Sequence, residues 1–113
     1  MGPESTTRVF MLRHAEVAVA WRERIYGDLE VPLAPEGESR SRRMGPRLAA
    51  LQVDGILSSG LARADFLAAE IASHCSTTWL CERDFREIGR GLWAGLDAQA
   101  VEALSPGAGQ VLR

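Results

Sequence analysis

The alternation of strand-type and helix-type segments constrains the fold of this chain more than any other feature. Short apolar runs typical of β-strands lie at residues 7–12, 53–58 and 77–81. Segments whose apolar residues recur at helical spacing lie at residues 37–51, 61–75 and 97–104. Strands that alternate with helices form βαβ units, in which the strands are parallel and the crossovers are right-handed. The sequence therefore predicts an α/β fold built on a mostly parallel sheet.

Local patterns predict which faces of the helices are buried and where the helices end. The first helix is predicted to bury three large apolar residues: Met44, Leu48 and Leu51. The second carries an apolar stripe: Leu61, Ala64, Ala68, Ile71 and Cys75. Pro46 removes a backbone donor and is expected to kink or restart the first helix. Ser59 is placed to cap the second helix and Asp97 the third, which is expected to stop at residues 105–107.

Length and charge exclude several classes of protein. A chain of 113 residues with 46% hydrophobic and 25% charged residues suits one ordinary domain, expected to span residues 1–113. The net charge of −2 offers no broad positive field for nucleic acid, although every basic residue is an arginine. No apolar run suits a membrane span or a secretory signal, so we expect a cytoplasmic protein without a membrane partner. Cys75 and Cys81 lack metal-ligand spacing, and we expect them to be reduced and half-buried.

The candidate functional residues follow the predicted strands. Arg13 and His14 come directly after the first strand, Arg63 after the second and Glu87 after the third. Ligands of parallel sheets bind beyond the carboxyl ends of the strands, so we expect these residues to converge at one edge. A long polar connection at residues 13–36 lies beside them, and such a length in a compact domain indicates a function.

These residue types suit phosphoryl transfer. A neutral imidazole is a nucleophile towards phosphorus, and two guanidinium groups match the charge that spreads over the phosphoryl oxygens. A carboxyl group can protonate the leaving oxygen and then take a proton from water. This chemistry asks for no metal and no cofactor, and no metal-binding cluster is recognisable. Alternatives remain: an Arg-His pair arises by chance in many proteins, Arg63 could be solvated, and Glu16 and Glu82 compete with Glu87.

Four ordered motifs carry a resemblance to a known family. Residues 12–16 resemble an Arg-His-Gly motif, and residues 27–37 resemble a block that runs Gly, acidic residue, Pro-Leu, Gly. Residues 58–64 resemble Ser-Ser-x-Leu-x-Arg-Ala, and residues 87–95 resemble Glu-x-x-x-Gly-x-Trp-x-Gly. Together, over residues 8–104, they are similar to the histidine phosphatase superfamily, which includes phosphoglycerate mutase-like enzymes. The resemblance implies that family's three-layer α/β sandwich.

The resemblance also implies a role for each candidate residue. His14 would be the phosphorylated nucleophile, and Arg13 and Arg63 would bind the phosphoryl group. Glu87 would be the proton donor, with Glu82 as the alternative donor. A further implied site residue is the glycine at position 27, Gly27, which would let the backbone of the long connection approach the phosphate.

The chain departs from the family pattern at several positions. Ala15 and Gly60 replace a usual Gly and Pro, Leu67 replaces a usual Thr, and the chain has no Asn to contact phosphate from the long connection. The second catalytic His of the family is missing, because His74 matches no family motif. The chain thus resembles the N-terminal half of a histidine phosphatase, either a naturally short enzyme or a truncated product of a longer gene. Loss of the second His is expected to lower turnover by orders of magnitude.

The expected function is a metal-independent phosphohydrolase that cleaves phosphate monoesters through a phosphohistidine intermediate. Its substrate would be a small phosphorylated molecule or a phosphoprotein. The main alternative is a non-catalytic phosphate-binding module, or a pseudo-enzyme that needs a partner to complete its sheet. Exposed sheet edges also predict a homodimer or poor solubility. Mutase-type phosphoryl transfer ranks lower because the chain lacks extra substrate loops, and an unrelated small α/β domain is the remaining alternative.

Overall fold

The computed structural model describes residues 5–108 of the chain. Its helices and strands are α1 (Pro35–Ala49), β1 (Ile56–Ser58), α2 (Ala62–Ala72), β2 (Trp79–Cys81) and α3 (Ala98–Leu104). Short 3₁₀ turns lie at Val19–Trp21, Arg83–Phe85 and Gly91–Trp93.

The two strands form the predicted βαβ unit. β1 and β2 are parallel neighbours in the register Ile56 with Trp79, Leu57 with Leu80 and Ser58 with Cys81. α2 connects the strands and packs against both of them, and α1 packs on α2. The predicted α/β fold with a parallel sheet is therefore confirmed, and the sheet places the loops that follow Ser58 and Cys81 at one edge.

The strand predicted at residues 7–12 is wrong for the described part of the chain. These residues are exposed and carry no strand or bridge assignment. A strand is stable only when its backbone groups bond to a neighbouring strand, and β1 and β2 pair with each other without reaching this segment. Strand-type side chains alone therefore do not create a strand here.

α1 runs without interruption through Pro46, so the predicted restart of the helix is wrong. The helix begins at Pro35, where a proline costs no hydrogen bond because the first helical amides have no partner in the helix. Beyond Pro46 the hydrogen-bond ladder resumes, and the Ala50 N–H donates to the Pro46 carbonyl at 3.2 Å. One missing internal bond is tolerated because the helix is held by its packing on α2.

Small residues, rather than the predicted large ones, form the buried face of α1. They recur every four positions: Gly37, Ser41, Gly45 and Ala49. A Cβ atom at Gly45 would lie only 3.0 Å from the Glu70 carbonyl oxygen of α2, so this stripe lets the two helices approach closely. Met44 and Leu48 are half-buried instead, and Leu51 is exposed. The large residues of α1 are therefore less buried than the small ones.

α2 has the predicted apolar stripe but a different cap. Leu61, Ala68 and Ile71 are buried, as expected. The helix amide of Ala62, however, donates to both carboxylate oxygens of Glu30, at 3.0 and 3.2 Å. Ser59 makes only a 3.4 Å contact with the Leu61 N–H, so its predicted capping role is wrong. A carboxylate from the long connection satisfies this helix end, which sequence-local reasoning does not detect.

α3 begins and ends as predicted. The Asp97 side chain accepts a hydrogen bond from the Ala100 N–H at 2.8 Å, and the helix stops before Ser105. Val101 of α3 is fully buried.

The long connection at residues 13–36 is ordered and tied to the chain before α3. Ile25 donates to the Leu96 carbonyl at 2.8 Å, and Gly95 donates to the Ile25 carbonyl at 2.7 Å. An isolated bridge joins Arg24 to Asp97. These contacts fix the connection against the segment that precedes α3.

Two further findings concern the cysteines and the question of a membrane-spanning helix. Cys75 and Cys81 are both free thiols, as predicted, with Cys75 half-buried and Cys81 exposed rather than half-buried. Within residues 5–108, every helix is too short or too polar to cross a membrane.

Candidate active site

The position and tautomer of the His14 ring suit a nucleophile. Nδ1 lies 2.8 Å from the Ala15 carbonyl oxygen. A carbonyl can only accept, so Nδ1 carries the ring proton and Nε2 keeps a free lone pair in the neutral imidazole. The ring is half-buried and lines a cleft of about 510 Å³, which we call the His14 cleft.

The His14 cleft lies between the residues around His14 and the two packed helices. Residues 12–17, which include Arg13, form one wall. Met44 and Leu48 of α1 and Leu67 of α2 form an apolar wall. The half-buried Met44 and Leu48 therefore contribute apolar side chains of α1 to this cleft.

Arg63 is buried and ordered by the long connection. Its side chain is 2% exposed, so the alternative of a solvated arginine is wrong. One guanidinium nitrogen donates to the Leu29 carbonyl and the other to the Gly27 carbonyl, each at 2.5 Å. The guanidinium carbon lies 4.8 Å from the centre of the Tyr26 ring. The first turn of α2 thus presents a cation directly to the connection that follows His14.

Gly27 is required by both its backbone conformation and its surroundings. Its φ is +48°, a left-handed conformation that residues with a Cβ rarely adopt. A Cβ atom there would lie 2.6 Å from the Ile88 carbonyl oxygen and 2.8 Å from Cγ of Arg90. Glycine therefore allows the long connection to pack directly on the segment that follows β2.

Glu87, rather than Glu82, lies next to Arg63. A Glu87 carboxylate oxygen is 3.8 Å from the Arg63 guanidinium, and its other oxygen is 3.6 Å from that of Arg90. Glu82 instead accepts a hydrogen bond from the Asp84 N–H at 3.2 Å and caps a 3₁₀ turn. Glu16 forms an ion pair with Arg40 at 2.5 Å. Of the three carboxylates that the sequence left in competition, Glu87 is the one that contacts the buried arginine.

The structure arranges the predicted site residues in two groups joined by Tyr26. Arg63, Gly27 and Glu87 form one group, while Arg13 and His14 line the cleft. The Tyr26 ring centre is 6.5 Å from that of His14, and the same ring carries the Arg63 guanidinium. Arg13 is exposed and makes no hydrogen bond or ion pair with any residue in the described range.

Sequence reasoning missed Tyr26 and Glu30. Tyr26 contacts both groups, and Glu30 caps the helix that carries Arg63. The one signal for them in the sequence is their position in the long connection. Tyr26 directly precedes Gly27, and Glu30 lies shortly after it. Among residues 5–108, no group of three or more His, Cys, Asp or Glu side chains is placed to hold a metal ion.

Comparison with known proteins gives a consistent family. The sequence model of the histidine phosphatase superfamily (branch 1) matches residues 9–111. The probable phosphoglycerate mutase GpmB of Enterobacter sp. (strain 638) is 29% identical over 98 residues, which are 87% of this chain and 44% of that protein. GpmB of Yersinia enterocolitica is 27% identical over 99 residues, or 88% of this chain and 45% of that protein.

Solved structures agree in fold. A mycobacterial glucosyl-3-phosphoglycerate phosphatase superposes with a TM-score of 0.80 at 26% identity, covering 87% of this chain and 46% of that one. YhfR of Bacillus stearothermophilus superposes with a TM-score of 0.79 at 26% identity, covering 88% and 50%. The chain spans about half the length of these relatives. It belongs to the histidine phosphatase superfamily and has the phosphoglycerate mutase-like α/β fold that its motifs imply.

Proposed function

We propose that this chain carries the nucleophile and part of the phosphate site of a phosphatase that hydrolyses phosphate monoesters through phosphohistidine at His14. The observation that carries the proposal is the buried Arg63 guanidinium, held beside Tyr26 and Glu87 and connected through Tyr26 to the His14 ring. A buried cation without a fully buried counter-charge is costly, which favours an anionic ligand at this position. Membership of a superfamily whose relatives include a named phosphatase supports the same reaction class.

The first step transfers the phosphoryl group to the enzyme. Nε2 of His14 attacks phosphorus, an N–P bond forms, and the P–O bond to the alcohol breaks. Glu87 gives a proton to the leaving oxygen, a role that requires its carboxyl group, which is ion-paired with Arg63 in the free chain, to be protonated once substrate is bound. Arg13 and Arg63 balance the charge on the three remaining phosphoryl oxygens.

The second step regenerates the enzyme. Water attacks the phosphohistidine, and Glu87, now a carboxylate, takes the proton of that water. The N–P bond breaks, inorganic phosphate leaves, and the imidazole returns to its neutral form with the proton on Nδ1. The Ala15 carbonyl keeps that tautomer, so Nε2 is again free for the next substrate.

Arg63 is suited to this role because its present partners leave its charge largely uncompensated. The carbonyls of Gly27 and Leu29 hold the guanidinium by hydrogen bonds but carry no net charge. Glu87 is its single ion-pair partner in the described range, and the Glu87 side chain is 46% exposed, so solvent weakens that pair.

Phosphate release from para-nitrophenyl phosphate tests the proposal. We expect slow release by the purified chain and a phosphoryl mass increase on the peptide that contains His14. The variant His14→Ala should lose both signals, while His74→Ala, which changes the other histidine, should keep them. Release that is identical in the chain and in His14→Ala would overturn the proposal.

Related measurements distinguish the proposed phosphatase from two alternatives, mutase-type transfer and non-catalytic phosphate binding. 3-Phosphoglycerate is the informative second substrate, because several relatives are named probable phosphoglycerate mutase. A phosphatase releases inorganic phosphate from it, whereas mutase-type transfer converts it into 2-phosphoglycerate. A non-catalytic module binds inorganic phosphate, as titration calorimetry would register, but never acquires phosphate on His14.

A further inference from the structure

We infer that Arg86 is a positioning residue, which holds the proposed proton donor Glu87 beside Arg63 by tying their two segments together. The inference rests on the proposed function, because it concerns the placement of the proton donor of that reaction. It assigns a role to a residue that neither binds the phosphoryl group nor carries a proton in the proposed steps.

The Arg86 side chain bridges the loops that follow β1 and β2. It belongs to the loop after β2, and its Nε donates to the carbonyl of Ser59, in the loop after β1, at 2.9 Å. Arg86 is half-buried, although its chain neighbours Phe85 and Glu87 are exposed. This hydrogen bond therefore anchors the chain directly beside the proposed proton donor.

Gly60 provides the space in which the Arg86 guanidinium lies. Its φ is +86°, and a Cβ atom there would lie 3.0 Å from a guanidinium nitrogen of Arg86 and 2.6 Å from Sγ of Cys81. Proline, the usual residue of the resembled motif at this position, cannot adopt that φ and has no N–H to donate. The glycine therefore admits the Arg86 side chain where the usual proline would not.

The loop after β1 is itself fixed to the helix turn that carries Arg63. One carboxylate oxygen of Asp65 accepts hydrogen bonds from the Ser58 hydroxyl at 2.6 Å and from the Gly60 N–H at 3.0 Å. Asp65 lies in the first turn of α2, two residues after Arg63. A tie to this loop is therefore also a tie to the first turn of α2.

The anchor matters because the ion pairs of Glu87 do not hold its side chain firmly. The side chain is 46% exposed, and its ion pairs with Arg63 and Arg90 span 3.8 and 3.6 Å. Such solvated pairs are weak and leave the carboxyl group mobile. A misplacement of about 1 Å can lower a rate about 100-fold, so the backbone position that Arg86 fixes decides whether Glu87 reaches the leaving oxygen.

The dependence of the rate on the leaving group tests the inference. A positioned acid matters most when the leaving oxygen is strongly basic, as in phenyl phosphate, and least when it leaves unprotonated, as in dinitrophenyl phosphate. We expect Arg86→Met to lower kcat about 100-fold for phenyl phosphate and less than about threefold for dinitrophenyl phosphate, with KM nearly unchanged. Arg86→Lys keeps a donor for the Ser59 carbonyl and should recover about tenfold of the lost rate.

Arg83→Met is the matched control for the loss of an arginine from this loop. Arg83 lies three residues before Arg86 and is exposed. Its replacement should leave both rates within about twofold of those of the unaltered chain, as is usual for surface substitutions.

A second measurement needs no catalysis. The nitrogen NMR signals of the Arg63 guanidinium report on its ion pair with Glu87, and Glu87→Gln gives their position when the carboxylate charge is lost. We expect Arg86→Met to move these signals at least half of the way to that position, because it releases Glu87 from Arg63. Arg83→Met should leave the signals unchanged.

Each contrary result has a distinct meaning. Equal losses of kcat for both esters would make Arg86 merely structural, and a rise in KM with kcat unchanged would make it a phosphate ligand. Unmoved Arg63 signals in Arg86→Met would show that Arg86 does not place Glu87. Absence of phosphate release from the unaltered chain would overturn the proposed function instead, and the NMR comparison would then decide by itself whether Arg86 positions Glu87.

Discussion

Replacing Arg63 by Met tests whether this arginine orders the long connection. Met has a similar length and suits a buried site, but it cannot donate to the carbonyls of Gly27 and Leu29. Each hydrogen bond from a charged donor is worth about 1.5–3 kcal/mol, and the contact with the Tyr26 ring adds up to about 2 kcal/mol. Burial of the Met side chain offsets part of this loss. We therefore expect the connection to lose about 3 kcal/mol of local stability.

The Leu29 amide reports this loss directly. It donates to the Tyr26 carbonyl at 2.7 Å, within the segment that Arg63 holds. A loss of about 3 kcal/mol corresponds to roughly 100-fold faster hydrogen exchange of that amide, since about 1.4 kcal/mol is a factor of ten. Exchange measured by NMR in the folded chain gives this ratio without any need for complete unfolding.

Arg90→Met is the matched control. Arg90 forms an ion pair at 3.6 Å with Glu87, the carboxylate that also pairs with Arg63. The side chains of Arg90 and Glu87 are both substantially exposed to solvent. Such exposed pairs contribute about 0–1 kcal/mol, so exchange of the Leu29 amide should rise less than about fivefold. Equal effects of Arg63→Met and Arg90→Met, or a change below tenfold in Arg63→Met, would refute the clamping role of Arg63.

Three further predictions concern the backbone conformation at Gly27, the proton donor Glu87 and the Asp97 cap of α3. Gly27→Ala should destabilise the chain by about 2–4 kcal/mol in urea denaturation, whereas Gly91→Ala should cost about 1 kcal/mol. Both glycines have positive φ, but only an added Cβ at Gly27 meets backbone atoms. Glu87→Gln should slow phosphate release by 10²–10⁴-fold, about the contribution of a general acid, and Glu82→Gln should leave the rate within about twofold; equal rates for the two variants would remove Glu87 as donor. Asp97→Ala should cost about 1 kcal/mol and speed exchange of the α3 amides, and no change would contradict its capping role.

The sequence predicted what depends on short-range patterns. The apolar stripe at Leu61, Ala68 and Ile71 identified α2, and the Asp97 cap identified the start of α3. Two strand-type runs separated by that helix were sufficient to predict the parallel pair β1 and β2. The motif order also led to the family, because the spacing of the motifs is retained although relatives such as GpmB and the mycobacterial phosphatase are only 29% and 26% identical to this chain.

Tertiary structure decided what depends on residues distant in sequence. Residues 7–12 have strand-type side chains, but strand formation needs a neighbour whose backbone pairs with them, and sequence pattern carries no information on that neighbour. The cap of α2 comes from Glu30 in the long connection rather than from the adjacent Ser59. The buried face of α1 consists of small residues because close helix packing, and not side-chain size alone, selects what is buried.

In the candidate site, too, some features follow from the sequence and others only from the tertiary structure. The sequence by itself determined which chemical groups are present, since the motifs name a histidine, two arginines and a carboxylate after successive strand-type runs. Only the tertiary structure decided that Arg63 is buried against the carbonyls of the long connection, and that Glu87 rather than Glu82 lies beside it. The physical reason is that side-chain identity is local, whereas burial and charge pairing arise where segments far apart in sequence meet. The contacts of the Tyr26 ring with both the His14 ring and the Arg63 guanidinium are visible only in the tertiary structure.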